Sequence, residues 1–332
     1  MAVSRFGSEQ VRRAARLVCV GFDGREPTEG LADLIDIGVR AVILFARNAG
    51  DREQVTETIR RIKSLSDDPI LVCVDQEGGS TVRFQDGFST PPPMREVGDE
   101  GLDRAGEIGR LLAEDLRPVG IDLNLAPVVD VDSNPANPVI GARSFGRDPE
   151  HVSRCASAFI QSMQGGGVAA CAKHFPGHGD TSEDSHHELP VLAHSLERLE
   201  RVELPPFRAA IEAGVAAVMS SHVVYEAMDP GVPATMSPLV IRGLLRERLA
   251  FQGVIISDDL QMKAISDHHE IGAAAVAAVR AGIDLLLCCH DLDHQLASID
   301  AIAGGLESGR IDGDAVDASI CRLDDLYDRF VR

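Results

Sequence analysis

A chain of 332 residues that is 44% hydrophobic and 25% charged has the composition of a globular protein with a large core, at a length normal for an α/β barrel. Its 52 acidic against 32 basic residues give a formal charge of −20, a field that repels phosphate backbones and excludes nucleic acid as an expected partner. No apolar run reaches the roughly 20 residues that span a bilayer, so no membrane partner is expected.

The opening MAVSRFGSEQVRRAARLVCV lacks a long apolar segment followed by a small-residue cleavage site and reads as mature sequence. From there short apolar runs alternate with stretches of helical periodicity. In chain order the runs are Leu17–Phe22, Ala41–Phe45, Ile70–Asp75, Asp122–Ala126, Ala169–Lys173, Ala217–Ser221, Gly253–Ser257 and Asp284–Cys289. Most are continuously apolar and β-branched, the pattern of strands covered on both faces. Amphipathic segments lie between them, among them Arg52–Ser66, Leu102–Leu116, Pro149–Met163, Leu196–Ala213 and Pro238–Leu249. Gly38, Gly120, Gly166, Gly214 and Gly282 follow helical stretches, where left-handed caps belong. Eight uninterrupted strand–helix units predict a (β/α)₈ barrel in preference to an open doubly wound sheet. With no linker, repeat or low-complexity segment, residues 1–332 are expected to form one catalytic domain, closed by a helix over Asp314–Phe330. Of the seven cysteines, Cys19, Cys73, Cys171, Cys288 and Cys289 sit in β-like runs and Cys155 and Cys321 in helical patterns. An odd number of mostly core thiols suggests a reduced, cytoplasmic protein.

Three long polar loops, Gln76–Asp99, Pro127–Asp148 and Phe175–Ser195, all follow strands. In such barrels the site lies at the strands' C-terminal ends. Ionisable residues finish several strands: Asp75, then Lys173 and His174, then His222, then Asp258. Together they predict a pocket lined with carboxylates, a lysine and imidazoles. Asp258, kept ionised near cations such as Lys173, suits attack on an anomeric carbon. Asp259 competes with it, since alternation along a strand lets only one of the two face the pocket. The densest cluster, KHFPGHGDTSEDSHHELP (173–190), holds His174, His178, His186 and His187 with Asp180, Glu183 and Asp184 on a Gly-rich loop whose length suggests mobility. No HExxH appears and the histidines lie on a Gly-rich loop, so a metal is not expected; no cofactor is expected either. In extended chain Asp184 and His186 share a side, so the carboxylate can orient the ring for proton transfer. His178 and His187 read instead as structural loop histidines.

The segments VILFARN (42–48), VDQEGG (74–79), NLAPVVDVDSNPANPVIGARSFG (124–146), KHFPGHGDT (173–181) with DSH (184–186), LPPF (204–207), PATMSP (233–238) and GVIISDDL (253–260) resemble, in order, the bacterial β-N-acetylglucosaminidases of glycoside hydrolase family 3. The resemblance covers roughly residues 15–290. It implies a single barrel, active without metal, that removes terminal β-linked N-acetylglucosamine with retention of configuration. By the same resemblance the nucleophile falls on Asp258 and the acid/base dyad on Asp184 and His186. The sugar-holding residues fall on Asp75, Arg83, Arg143, Lys173 and His174. Ser80 departs from the family pattern, which often has Arg there; altered outer contacts are the expected result. Muropeptide or chitin-type oligosaccharides are the expected substrates, and a monomer or weak homodimer the expected state. Alternatives are a phosphorylase using the same imidazole, a β-glucosidase of the same fold, and a catalytically silent sugar-binding protein.

Overall fold

The computed structural model describes residues 8–185 and 187–332. Ten strands run in chain order: β1 (Val18–Val20), β2 (Ala41–Leu44), β3 (Leu71–Val74), β4 (Leu123–Asn124), β5 (Ala169–Phe175), β6 (Val191–Leu192), β7 (Ala217–Ser220), β8 (Val224–Tyr225), β9 (Val254–Asp259) and β10 (Leu285–Cys288). Eight of them close a parallel barrel in the order β1-β10-β9-β7-β5-β4-β3-β2, with β1 paired back onto β2. The fold is the (β/α)₈ barrel, and the open sheet is excluded because closure leaves no edge. Barrel residues are buried on both faces, which is why the runs show no polar alternation.

Helices follow each barrel strand, from Glu29–Asp36 after β1 to Leu292–Glu307 after β10. Their starts are set locally. Thr28, Asp51, Asp148 and Asp291 each accept a backbone N–H of the first turn, satisfying donors that the helix itself leaves open. The final helix, Gly313–Phe330, packs Val316, Leu323, Leu326 and Phe330 into the core.

Four details differ from expectation. The segment Leu196–Ala213 is two helices, Leu196–Arg201 and Leu204–Glu212. Pro205 and Pro206 lack the N–H that a continuous helix needs but fit a first turn, so the second helix starts there. Gly166 keeps φ −80°, and its neighbour Gly167 takes the left-handed turn at φ 85°. Leu239–Arg248 is wound as a π-helix. The two-residue strands β6 and β8 form a separate parallel pair, joining the end of the loop after β5 to the loop after β7.

The two ends of the barrel carry charge differently. At the N-terminal end Asp122 is buried against Lys63 and Arg117, and Asp284 against Arg246 and Arg322. Each of these carboxylates also accepts a neighbouring strand's N–H, from Val72 and from Ile255. These are closed clusters that fasten strands. The charges at the C-terminal end surround a cavity.

Candidate active site

A cavity of about 390 Å³ opens at the C-terminal mouth, lined among others by Asp75, Arg83, Arg143, Lys173, His174, Asp258 and Asp259. Six of the residues singled out from sequence therefore meet there, from the ends of β3, β5 and β9 and from the loops after β3 and β4. Its size suits a small ligand.

Two strand irregularities explain why neighbouring side chains share the cavity. Along β5 the pairing with β7 passes from Ala172–Val218 to Phe175–Ser220, one residue more on β5 than on its partner. Along β9 the pairing with β10 passes from Ile256–Leu285 to Asp259–Leu287, again with one residue in excess. A bulge of this kind re-aims side chains that strict alternation would send to opposite faces. Lys173 and His174 both line the cavity as a result, and so do Asp258 and Asp259. The expectation that only one aspartate reaches it is corrected. The two differ in their bonds. Asp258 Oδ1 accepts the N–H of Asp259 at 2.8 Å. Asp259 is turned toward the rim, its Oδ1 accepting from Gln261 N at 3.1 Å and its Oδ2 lying 3.2 Å from His290 Nε2.

The floor is a chain of alternating charge. Arg83 donates to Asp75 at 2.8 Å, and Lys173 Nζ lies 2.5 Å from both Asp75 and Glu77. Glu77 in turn receives Arg143 through two bonds of 2.8 Å. Burial pushes the Glu77 carboxyl upward, but Arg143 and Lys173 outweigh it and hold the group well below the usual carboxylate range. Burial likewise works against the Lys173 ammonium, and Asp75 and Glu77 reverse that, leaving it above its ordinary value. Glu77 and Lys173 are thus held in charged form, and bidentate geometry orients Arg143.

A second carboxylate organises the imidazoles. Asp130 is buried and accepts from His174 N at 3.1 Å and His178 N at 2.7 Å, with His174 Nδ1 at 2.7 Å. Its burial penalty is exceeded by His174 and His178, so it lies below the usual carboxylate value. With Nδ1 engaged, Nε2 is the His174 nitrogen available to a ligand. Neither Glu77 nor Asp130 was singled out from sequence. The one available signal was an acidic residue interrupting an apolar run (VVDVD) or preceding a glycine pair.

The loop after β5 is pinned at both ends. On entry, Gly179 crosses so near the next loop that a Cβ would stand 1.7 Å from Val131 O, and its own carbonyl accepts Asn134 N. Asn137 holds the His178 carbonyl, and the Tyr225 hydroxyl donates to Gly177 O. On exit, β6 pairs with β8, and His194 Nε2 lies 2.5 Å from Asp180. Between the pins, Ser185 lines the cavity and bonds the buried His178 ring at 2.9 Å. Burial, then the neighbouring His174, pushes His178 down to about 4, so at neutral pH it is an uncharged strut, as expected of a structural histidine. Asp184 is half-buried, with His187 Nε2 4.0 Å from its carboxylate. His186, expected to share its side, lies outside the described residues. His222, expected at the mouth, is instead buried beneath it, its ring bonded to Thr235 Oγ1 and Asp259 O, and it does not line the cavity. Ser80 is exposed beside a neighbouring groove. Among the described residues, no group of three or more His, Cys, Asp or Glu is disposed to hold a metal ion.

The chain that folds into this barrel matches a known class. The N-terminal domain of glycosyl hydrolase family 3 matches residues 12–326, and the chain belongs to that family as a glycoside hydrolase. It is 37% identical over 307 residues to the beta-hexosaminidase of Nitrosomonas eutropha, an alignment covering 89% of this chain and 87% of that protein. With the beta-hexosaminidase of Thiobacillus denitrificans it shares 41% over 277 residues, covering 80% and 77%. Among solved structures it superposes on the family 3 beta-N-acetylglucosaminidase of Paenibacillus sp. with a TM-score of 0.94 and 41% identity. That alignment covers 97% of this chain but only 62% of the longer Paenibacillus chain. The Neisseria gonorrhoeae NagZ structure with N-trifluoroacetyl-D-glucosamine gives a TM-score of 0.78 at 34% identity, covering 93% and 97%.

Proposed function

We propose that this chain is a retaining β-N-acetylhexosaminidase that releases terminal β-linked N-acetylglucosamine from muropeptide or chitin-type oligosaccharides. The observation that carries the reading is the cavity itself. Asp258 stands at its mouth across from a floor of fixed charges able to hold sugar hydroxyls. Charged groups make the stronger hydrogen bonds, and they discriminate because the wrong sugar leaves them unpaired. The Paenibacillus and Neisseria gonorrhoeae structures suggest the N-acetyl sugar.

In this reading Asp258 attacks C1 while His186, oriented by Asp184, protonates the leaving oxygen. Water, deprotonated by the same imidazole, then hydrolyses the glycosyl-enzyme. Asp75, Arg83, Arg143, Lys173 and His174 hold the sugar. No cofactor enters the scheme. Residues 1–332 act as one catalytic domain, cytoplasmic, as a monomer or weak homodimer. Among the described residues, no helix is long and apolar enough to cross a membrane.

The test is a panel of nitrophenyl β-glycosides, with product anomer and phosphate dependence recorded. Rapid hydrolysis of the N-acetylglucosaminide, giving the β-anomer first at a rate independent of phosphate, is the expected result. Sugar 1-phosphate as product makes the protein a phosphorylase, and preference for the plain glucoside makes it a β-glucosidase.

A further inference from the structure

Aromatic side chains are scarce here, with no Trp, two Tyr and eleven Phe. Among the described Phe and Tyr residues all are buried except Phe45, and Phe45 lines the cavity. An apolar ring left half-exposed in a charged mouth has a reason to be there. Its surroundings show how it is held. The Phe45 ring stacks on His290, centroids 5.5 Å apart and planes at 29°, and Arg47 lies against it at 4.5 Å. His290 belongs to the segment after β10 and Phe45 to the end of β2, with β1 between them. They meet because β1 ends in Gly21, where a Cβ would stand 2.2 Å from Cys289 O and 2.9 Å from Arg47 Nη2. Arg47 fills that gap, donating to Phe22 O at 2.9 Å and to Cys289 O at 2.5 Å. It lies 3.1 Å from His290 Nδ1, while His290 Nε2 faces Asp259 at 3.2 Å, so the imidazole can accept from one and donate to the other.

The pair spans the cavity from one functional group to the other. At one end Arg83, the partner of Asp75, lies 5.8 Å from the Phe45 ring. At the other, His290 touches Asp259, whose N–H holds Asp258. A pyranose has a rim of hydroxyls and a face of C–H groups. The charges of β3 and β5 fit the rim, and a flat π-surface with a negative face fits the C–H groups. We infer that the Phe45–His290 pair is a stacking wall for the ring of the sugar being cleaved, with Arg47 as its strut. The inference rests on the glycosidase reading above for the identity of that sugar.

The test compares Phe45→Leu, Phe45→Trp and His290→Asn with the wild type on nitrophenyl β-N-acetylglucosaminide and on chitobiose. Calorimetry of N-acetylglucosamine binding supplies a readout that needs no turnover. Phe45→Leu is expected to raise KM and the sugar's Kd about five- to ten-fold, equally on both substrates, with Phe45→Trp restoring most of it. His290→Asn, at a half-exposed position, is expected to raise both by about two- to three-fold without lowering the melting temperature. Unchanged KM and Kd in both variants overturn the wall. A loss confined to chitobiose also overturns it, because the ring would then serve the leaving group. Should the wild type prefer another β-hexoside, the function proposed above fails separately, and the same comparison on that sugar decides the wall.

Discussion

The floor of the cavity and the loop after β5 are built on opposite plans. In the floor every charge is matched: Arg83, Asp75, Lys173, Glu77 and Arg143 form one continuous chain, deep in the barrel. Among its described residues the loop is fastened at its ends, by Gly179 and the β6–β8 pair, and its middle meets the barrel through the Ser185–His178 bond and a long contact from Ala264 N to Ser185 O. In the proposed function the first arrangement holds the sugar and the second carries the acid/base pair. Stability and activity should therefore respond separately to substitutions in each.

The largest effect expected is at the point both regions serve. Asp258→Ala should lower turnover of a β-N-acetylglucosaminide by about 10⁴-fold or more; full activity would move the nucleophile to Asp259, which the bulge in β9 also brings to the mouth. Glu77→Gln tests the floor. It leaves Lys173 and Arg143 short of a buried counter-charge, and urea unfolding should show a loss of about 3–5 kcal/mol together with weakened sugar binding. A loss below about 1 kcal/mol would mean that the chain of charges is not continuous in energy as it is in geometry. The loop should behave in the opposite way. His186→Ala should slow substrates with poor leaving groups by about 10²- to 10⁴-fold, and activated aryl glycosides far less. Equal losses on both would remove the acid role. The smallest effect lies at the joint between the regions. Folded His178 titrates near 4, below the ordinary 6.5, so between those values the unfolded chain binds the proton and the folded chain does not. Its contribution, about 3 kcal/mol, is whole above pH 6.5 and is lost as the pH falls toward 4. His178→Gln should flatten the dependence of unfolding free energy on pH in that window, and an unchanged slope would show that other groups set it.

What could be read without coordinates was local. Continuously apolar runs located all eight barrel strands, and the polar residues finishing them pointed to one mouth, because burial on two faces and the geometry of a parallel barrel leave a direct mark on residue type. Asp75, Lys173, His174 and Asp258 are legible as strand ends, Arg83 and Arg143 only through the resemblance, and all six line the cavity. Long-range pairing left no such mark. Glu77 is remote in sequence from Lys173 and Arg143, and its charge has meaning only against theirs. His222 ends its strand as Asp258 does, yet Thr235 and the Asp259 carbonyl draw it beneath the cavity.

Side-chain period and strand termini carry the barrel and the mouth on which its ionisable residues converge, and the motifs add Arg83 and Arg143. Contacts between distant segments bring Asp258 and Asp259 to one mouth, join five charges in one chain and set Phe45 against His290 across Gly21. Those outcomes depend on a bulge, on burial shared among distant residues and on an absent side chain, and such properties belong to pairs of segments that a reading along one segment does not contain.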